Sequence, residues 1–233
     1  MAPRLAVGAV FGPTPLALGF ERAGHIVRPV DAEADPGAIA QVDLVLLDAP
    51  ADQVRLAAGL LASHARPRQM FLHTVLEEGP QLLDDVETAQ AIVMCAHNVF
   101  ADVWVTSAAD ELGETVVGLL VAEVGGVSMR IDDTSRPVIA AAQELRALES
   151  VVRGDAFELL VQAVPDMEAV AAQFRDAPAG APRAATPAQL DVLADALPEP
   201  GVRRLLVDLE RRRGQQLGDT DTELWAMQKY EGG

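Results

Sequence analysis

With 233 residues, half of them hydrophobic and 23% charged, the chain has room for one large domain or a medium domain with a smaller companion. A formal net charge of −17 opposes phosphate-rich surfaces, which excludes nucleic acid and anionic membranes as expected partners. No apolar run reaches the roughly 20 residues of a bilayer span, and the lone cysteine, Cys95, excludes an internal disulfide framework and fits a reducing, cytoplasmic setting.

Leu5 to Val10 reads as a short buried strand, followed by a glycine/proline turn. That turn, Gly12-Pro13-Thr14-Pro15, interrupts the apolar stretch Leu5 to Leu18, which therefore does not read as a signal peptide. A helix over Leu16 to Ala23 closes at Gly24, a natural C-cap. Ile26 to Val30 is a second strand, and Pro29 within it points to an edge or a bulge. Asp43 to Asp48 carries the continuous apolar run of a strand buried on both faces. A helix over Asp52 to Ser63, a strand over Gln69 to Thr74 and a short helix within Gly79 to Asp85 follow. Two apolar runs, Ala91 to Ala96 and Val103 to Thr106, precede an acid-started helix over Asp110 to Val124 and a last strand over Val127 to Ile131. From Thr134 to Val164 there is only helical spacing, with Gly154 as an expected break. Residues 176–187 read as a linker. Helices open at Thr186-Pro187 and Pro200, and a docked or frayed tail holds Trp225 and Tyr230.

Strand alternating with helix through short connections implies a mainly parallel sheet covered on both faces. The expected fold is therefore α/β: a Rossmann-like domain over residues 1–132, then a small all-helical domain over 133–233.

Such domains bind dinucleotides where a tight glycine turn brings the backbone and a helix N-terminus to the pyrophosphate. Gly8 and Gly12 bracket that turn here and Thr14 offers a hydroxyl, although the G-x-G-x-x-G spacing is absent and Pro13 and Pro15 lack N–H donors. Asp31 ends the second strand 23 residues after Gly8, where an acid accepts a ribose hydroxyl and disfavours the extra phosphate of NADP. NAD is accordingly the expected cofactor.

His73 and His97 both fall at expected C-terminal strand ends, the edge where open α/β sheets place ligands, so both are candidates for acid/base work. His25 and His64 follow helices and read as surface caps. Cys95 reads as a core residue. Glu77, Glu78, Asp84 and Asp85 read as a solvated acidic loop, so no metal is expected. Lys229 is the only lysine, which argues against Schiff-base chemistry, and the Arg203-Arg204 and Arg211 to Arg213 runs read as a solvated face.

The order of segments resembles the 6-phosphogluconate-dehydrogenase-like superfamily, and within it proteins pairing a Rossmann-like domain with a DUF2520 C-terminal domain. Five segments carry the resemblance: Ala23-Gly24-His25, Asp43 to Pro50, Phe71 to Thr74, Cys95 to Asn98, and Leu119 to Gly126 followed by Arg136-Pro137. The chain departs from that pattern in its glycine turn, at Val75-Leu76 where Ser-Gly is usual, at Asn98 where proline is usual, and at Leu148 where the long helix often carries Asn or Lys. The resemblance implies hydride transfer to or from a small hydroxy- or imino-acid. Asp48, Ala49, Pro50 and Thr74 would line the nicotinamide side, and His97 would act as acid/base. The departures keep a second reading open, a degenerate Rossmann-like binding or scaffold protein.

The segment 134–164 is apolar on more than one helical face, as at Val138, Leu145, Leu148 and Val152, so its surplus must be covered. In the superfamily it resembles, this helix commonly forms a dimer core, which implies a homodimer through residues 134–164.

Overall fold

The computed structural model describes residues 4–176 and 185–231, the side chains at 144, 145, 147, 148, 175, 176, 230 and 231 apart. Among the described residues, seven strands form one sheet: β1 Ala6–Ala9, β2 Ile26–Pro29, β3 Leu44–Leu47, β4 Met70–His73, β5 Ile92–Phe100, β6 Val103–Ala108 and β7 Val127–Arg130. The helices are α1 Pro15–Ala23, α2 Ala51–Leu61, α3 Asp84–Glu87, α4 Glu111–Glu123, α5 Arg136–Ala163, α6 Ala171–Asp176, α7 Pro187–Asp195, α8 Pro200–Leu217 and α9 Thr220–Glu231. Contacts divide the chain into two units, residues 1–147 and 148–233, with the division falling inside α5.

In the first unit the sheet order is β2-β1-β3-β4-β5-β6-β7. Pairing is parallel from β2 through β5 and again between β6 and β7, whereas β5 and β6 pair antiparallel. The fold is Rossmann-like. β3 shows why its sequence is unbroken in apolarity: Val45 and Leu47 pack into one core with Leu61 and Phe71, while Leu44 and Leu46 pack into the other with Phe20 and Leu120. A strand between two cores has no polar face. Pro29 sits in edge strand β2, where its missing N–H costs no ladder bond.

Helix α1 is bounded as its sequence implies. The Thr14 hydroxyl accepts from Ala17 N at 3.3 Å, Pro15 occupies the first turn, and Gly24 ends the helix with φ 100°. α5 differs from expectation, because it runs without a break through Gly154.

The β5–β6 hairpin was invisible to pattern reading, since its turn is Ala101-Asp102 rather than a glycine or asparagine pair. Ala101 holds φ 46°, and the Asn98 side chain donates to the carbonyls of Ala101 at 3.0 Å and Val103 at 3.3 Å. Asn98, the departure from the family's usual proline, thus has a job in this chain: it braces a turn that no glycine eases. β5 consequently runs on to Phe100, and His97 lies within it rather than at its end.

In the second unit α7, α8 and α9 close on Leu190, Ala194, Val207, Trp225 and Ala226. Thr186 and Gln189 form a capping box at the start of α7. The tail proves to be a docked helix whose buried Trp225 donates from Nε1 to Asp191 at 2.8 Å. The linker expected over 176–187 falls largely outside the described residues.

Candidate functional site

The C-terminal edge of the parallel strands carries two neighbourhoods. The first surrounds the turn after β1. Gly12 adopts φ 84°, and nothing lies within 4 Å of where a side-chain carbon would stand, so its backbone is open to close approach. Gly12 and Asp31 line one pocket of about 560 Å³, together with Glu33 and with Leu56 and Leu60 of α2. Both leucines are exposed, Leu56 by 60%, and give this pocket an apolar wall. One Asp31 carboxylate oxygen accepts from the amides of Glu33 at 3.0 Å and Ala34 at 2.9 Å, which fixes the carboxylate at the end of β2. Thr14 caps α1, Pro15 has no N–H and Ala17's N–H is used by that cap, so the helix start offers an anion fewer donors than a glycine-rich loop does.

Gly8 is a correction. It is not at the turn but buried inside β1, where an added carbon would stand 2.9 Å from Val30 Cγ2 and 3.1 Å from Val42 Cγ2. Its lack of a side chain serves packing between β1 and these two valines.

The second neighbourhood surrounds the loop after β4. Thr74 donates its hydroxyl to Asp48 Oδ1 at 2.6 Å, joining the turn after β3 to the turn after β4. Ala49 is half-buried and packs against the core, and Pro50 starts α2, its carbonyl accepting from Val54 N at 3.0 Å. His97 Nδ1 lies 2.7 Å from the Thr74 carbonyl, which can only accept, so Nδ1 carries the proton and Nε2 presents a lone pair. The Gln143 amide of α5 meets that lone pair at 3.2 Å and also donates to the Asn98 carbonyl at 3.3 Å.

His73 does not share this environment. It is fully buried, its Nδ1 accepts from Val75 N at 3.2 Å, and its Nε2 donates to the Gly79 carbonyl at 3.0 Å. Burial pushes its pKa down to about 4, so the ring stays neutral, and neither nitrogen is left for a ligand. The expectation that His73 works as an acid/base alongside His97 is corrected by these contacts. His25 is corrected as well: it is buried, accepting from Leu5 N at 3.1 Å through Nδ1, with Nε2 2.9 Å from Glu123.

Two residues here went unrecognised as site residues in the sequence. Gln143 is a lone amide beside a run of alanines, and the pattern of the superfamily that the chain resembles points instead to Leu148, whose side chain lies outside the described ones. Arg136 is 2% exposed and sits at the start of a helix, where the dipole disfavours a cation; that mismatch was the available signal. Although burial opposes its charge, the hydrogen bond that its Nε donates to the Asp133 carboxylate at 2.7 Å holds its pKa above the ordinary arginine value. Cys95 is buried and its thiol is pushed up to about 11 by that burial, so it stays protonated. No group of potential metal ligands is found among the described residues, and no described helix is long and apolar enough to cross a membrane.

Residues 132–229 match the family model described as 6-phosphogluconate dehydrogenase C-terminal domain-like. The chain resembles the 6-phosphogluconate-dehydrogenase-like superfamily. Solved structures similar to it include an imine reductase from Pseudomonas sp., with a TM-score of 0.64 and 14% identity over 97% of this chain and 100% of that one. Mycobacterium tuberculosis 3-hydroxyisobutyrate dehydrogenase, solved with L-serine, has a TM-score of 0.53 and 14% identity over 97% and 94%. Plasmodium falciparum pyrroline carboxylate reductase, with NADP bound, has a TM-score of 0.55 and 10% identity over 96% of both chains. These likenesses establish the shared fold across nearly the whole chain. No curated protein matches the chain in sequence.

Proposed function

We propose that this chain is an NAD-dependent oxidoreductase acting on a small hydroxy- or imino-acid. The observation that carries the reading is the meeting of Gly12 and Asp31 in one pocket at the C-terminal edge of β1 and β2. Names of similar structures, a 3-hydroxyisobutyrate dehydrogenase, an imine reductase and a pyrroline carboxylate reductase, support the reaction class.

The residues fit a dinucleotide best at its adenosine end. Asp31 would accept the ribose hydroxyls, Leu56 and Leu60 would flank the base, and the open Gly12 backbone would admit the pyrophosphate, with the Thr14 hydroxyl beside it. Among the described residues, none lining this pocket is cationic, and Glu33 adds a second acid, so a 2′-phosphate would be repelled. Asp48, Ala49, Pro50 and Thr74 would flank the nicotinamide, which when bound supplies hydride transfer.

The chain's own contribution to chemistry is at His97. Its protonated Nδ1 is held by the Thr74 carbonyl, leaving Nε2 to take a proton from a substrate hydroxyl or to return one to it. Gln143 donates to that same nitrogen, and so holds the ring's orientation until a substrate hydroxyl takes its place.

The same reading places the protein in the cytoplasm, divides it functionally at residues 132/133, and makes it a homodimer through residues 134–164. Along α5, Val138 is 71% and Val151 is 51% exposed, which is the surplus apolar surface that a second copy would cover.

Thermal melting with NADH and NADPH tests the reading. A ligand at 100 times its dissociation constant adds about 2.7 kcal/mol, so NADH should raise the melting temperature and NADPH should do so less at equal concentration. No shift with either would overturn it and leave the scaffold reading.

A further inference from the structure

The loop after β4 is buried at Val75 and Leu76, 6% and 3% exposed, and at Gly79, yet these residues belong to neither sheet nor helix. A buried loop must find partners for its backbone carbonyls. Here side chains from other elements supply them nearly residue by residue. The carbonyl of Thr74 accepts from His97 at 2.7 Å, that of Val75 from the Cys95 thiol at 3.3 Å, that of Leu76 from Arg136 Nη1 at 3.0 Å, and that of Gly79 from His73 at 3.0 Å.

Arg136 is the member of this set that reaches furthest. Its guanidinium donates to the Leu76 carbonyl, lies 3.5 Å from the Cys95 sulfur of β5, donates to the Ser107 hydroxyl of β6, and pairs with Asp133 just before α5. One planar fork therefore fixes the loop, two strands and the start of α5 together.

Both hydrogen bonds that orient His97 depend on parts fixed in this way. On the Nδ1 side is the carbonyl of Thr74, two residues before Leu76. On the Nε2 side is Gln143, seven residues and so about two turns along α5 from Arg136. His97 itself projects from β5 two residues beyond Cys95, on the same side of the strand.

We infer that Arg136 is a positioning residue for His97, setting which imidazole nitrogen carries the proton by holding the Thr74–Gly79 loop and the start of α5 in register. The inference rests on the proposed reading of His97 as the ligand-facing histidine, and it assigns no substrate contact to Arg136.

The test reads the His97 tautomer by ¹⁵N NMR of the histidine-labelled protein at neutral pH, without cofactor. His97 is assigned by the signal lost in His97→Gln. The native protein should show Nδ1 as the protonated, pyrrole-type nitrogen and Nε2 as the pyridine-type one. Arg136→Met should shift His97 toward the Nε2-protonated form that free imidazole side chains favour. Arg136→Lys, which keeps the charge without the fork, should fall between. Ser107→Ala removes a single anchor of the guanidinium and gives a smaller shift in the same direction, which decides the matter should Arg136→Met fail to fold.

Val117→Ala, a cavity in the core beneath α4, is the control: it should lower the melting temperature by several degrees and leave His97 unchanged. If Arg136→Met or Ser107→Ala lowers the melting temperature as Val117→Ala does while His97 keeps its native tautomer, Arg136 is structural only and the inference falls. Because the readout needs no dinucleotide, a protein that fails to bind NADH but shows the tautomer shift would overturn the functional reading and leave this one standing.

Discussion

The two neighbourhoods along the ligand edge of the first unit are built in opposite ways. Around Gly12 and Asp31 there is open space, an exposed apolar wall and a carboxylate tied by two amides of its own turn. Around Thr74 and His97 nearly every polar group is engaged, and four buried or half-buried side chains from three elements converge on one short loop. Binding a large flexible ligand needs an accessible surface that adapts, whereas moving a proton needs one nitrogen in one place. Under the proposed function, this difference in the density of hydrogen bonding separates a cofactor end from a proton-handling end.

The largest effect is expected when the dense end is made to titrate. His73 is held neutral with its pKa lowered to about 4 from 6.5. Below pH 6.5 the unfolded chain therefore binds a proton that the folded chain refuses until about pH 4. Stability contributed by this group is full above 6.5 and is lost as pH falls through that window, by about 3 kcal/mol in all. Urea denaturation at stepped pH should show the loss, and His73→Gln, which cannot titrate, should remove that part of the slope. A slope unchanged in His73→Gln would mean that His73 is not the buried neutral ring described here.

A smaller effect separates the two glycines of the open end. Gly8→Ala sets a carbon against Val30 and Val42, stiff branched side chains, and should cost about 1–3 kcal/mol of stability while leaving NADH affinity unchanged. Weaker NADH binding by a normally stable Gly8→Ala protein would return Gly8 to the ligand.

Smallest in stability is Gly12→Ala. The space is open and only the left-handed backbone is strained, at about 1 kcal/mol. Yet this substitution should weaken NADH binding several-fold in calorimetry, because the new carbon stands where the backbone must be approached. Unaltered affinity would move the pyrophosphate elsewhere.

Much of the fold was legible because its strands obey simple rules. β3 is apolar throughout since it lies between two cores, Pro29 announces an edge, and Thr14, Gly24 and Thr186 mark helix ends. The β5–β6 hairpin was not legible, since its turn has no glycine and Ala101 takes a left-handed conformation beside a side-chain brace from Asn98, a pattern that no usual turn pair announces. Of the site, Asp31 and Gly12 could be placed by spacing along two strands. His73 and His97 could not be told apart, because each ends an apolar run, and what separates them is whether the loop folds over the ring. Gln143 and Arg136 lie 46 and 60 residues from their partners His97 and Leu76, a distance over which a single sequence offers no pairing signal.

The proposed function has a nicotinamide dinucleotide binding between Gly12 and Asp31. Backbone amide NMR during an NADH titration tests it most directly, since the amides of Glu33 and Ala34 donate to the Asp31 carboxylate and must respond when a ribose engages it. NADH should give saturable shifts at Gly12, Glu33 and Ala34, and NADPH weaker ones. Saturable shifts confined to other residues, with these three amides unmoved, would contradict it.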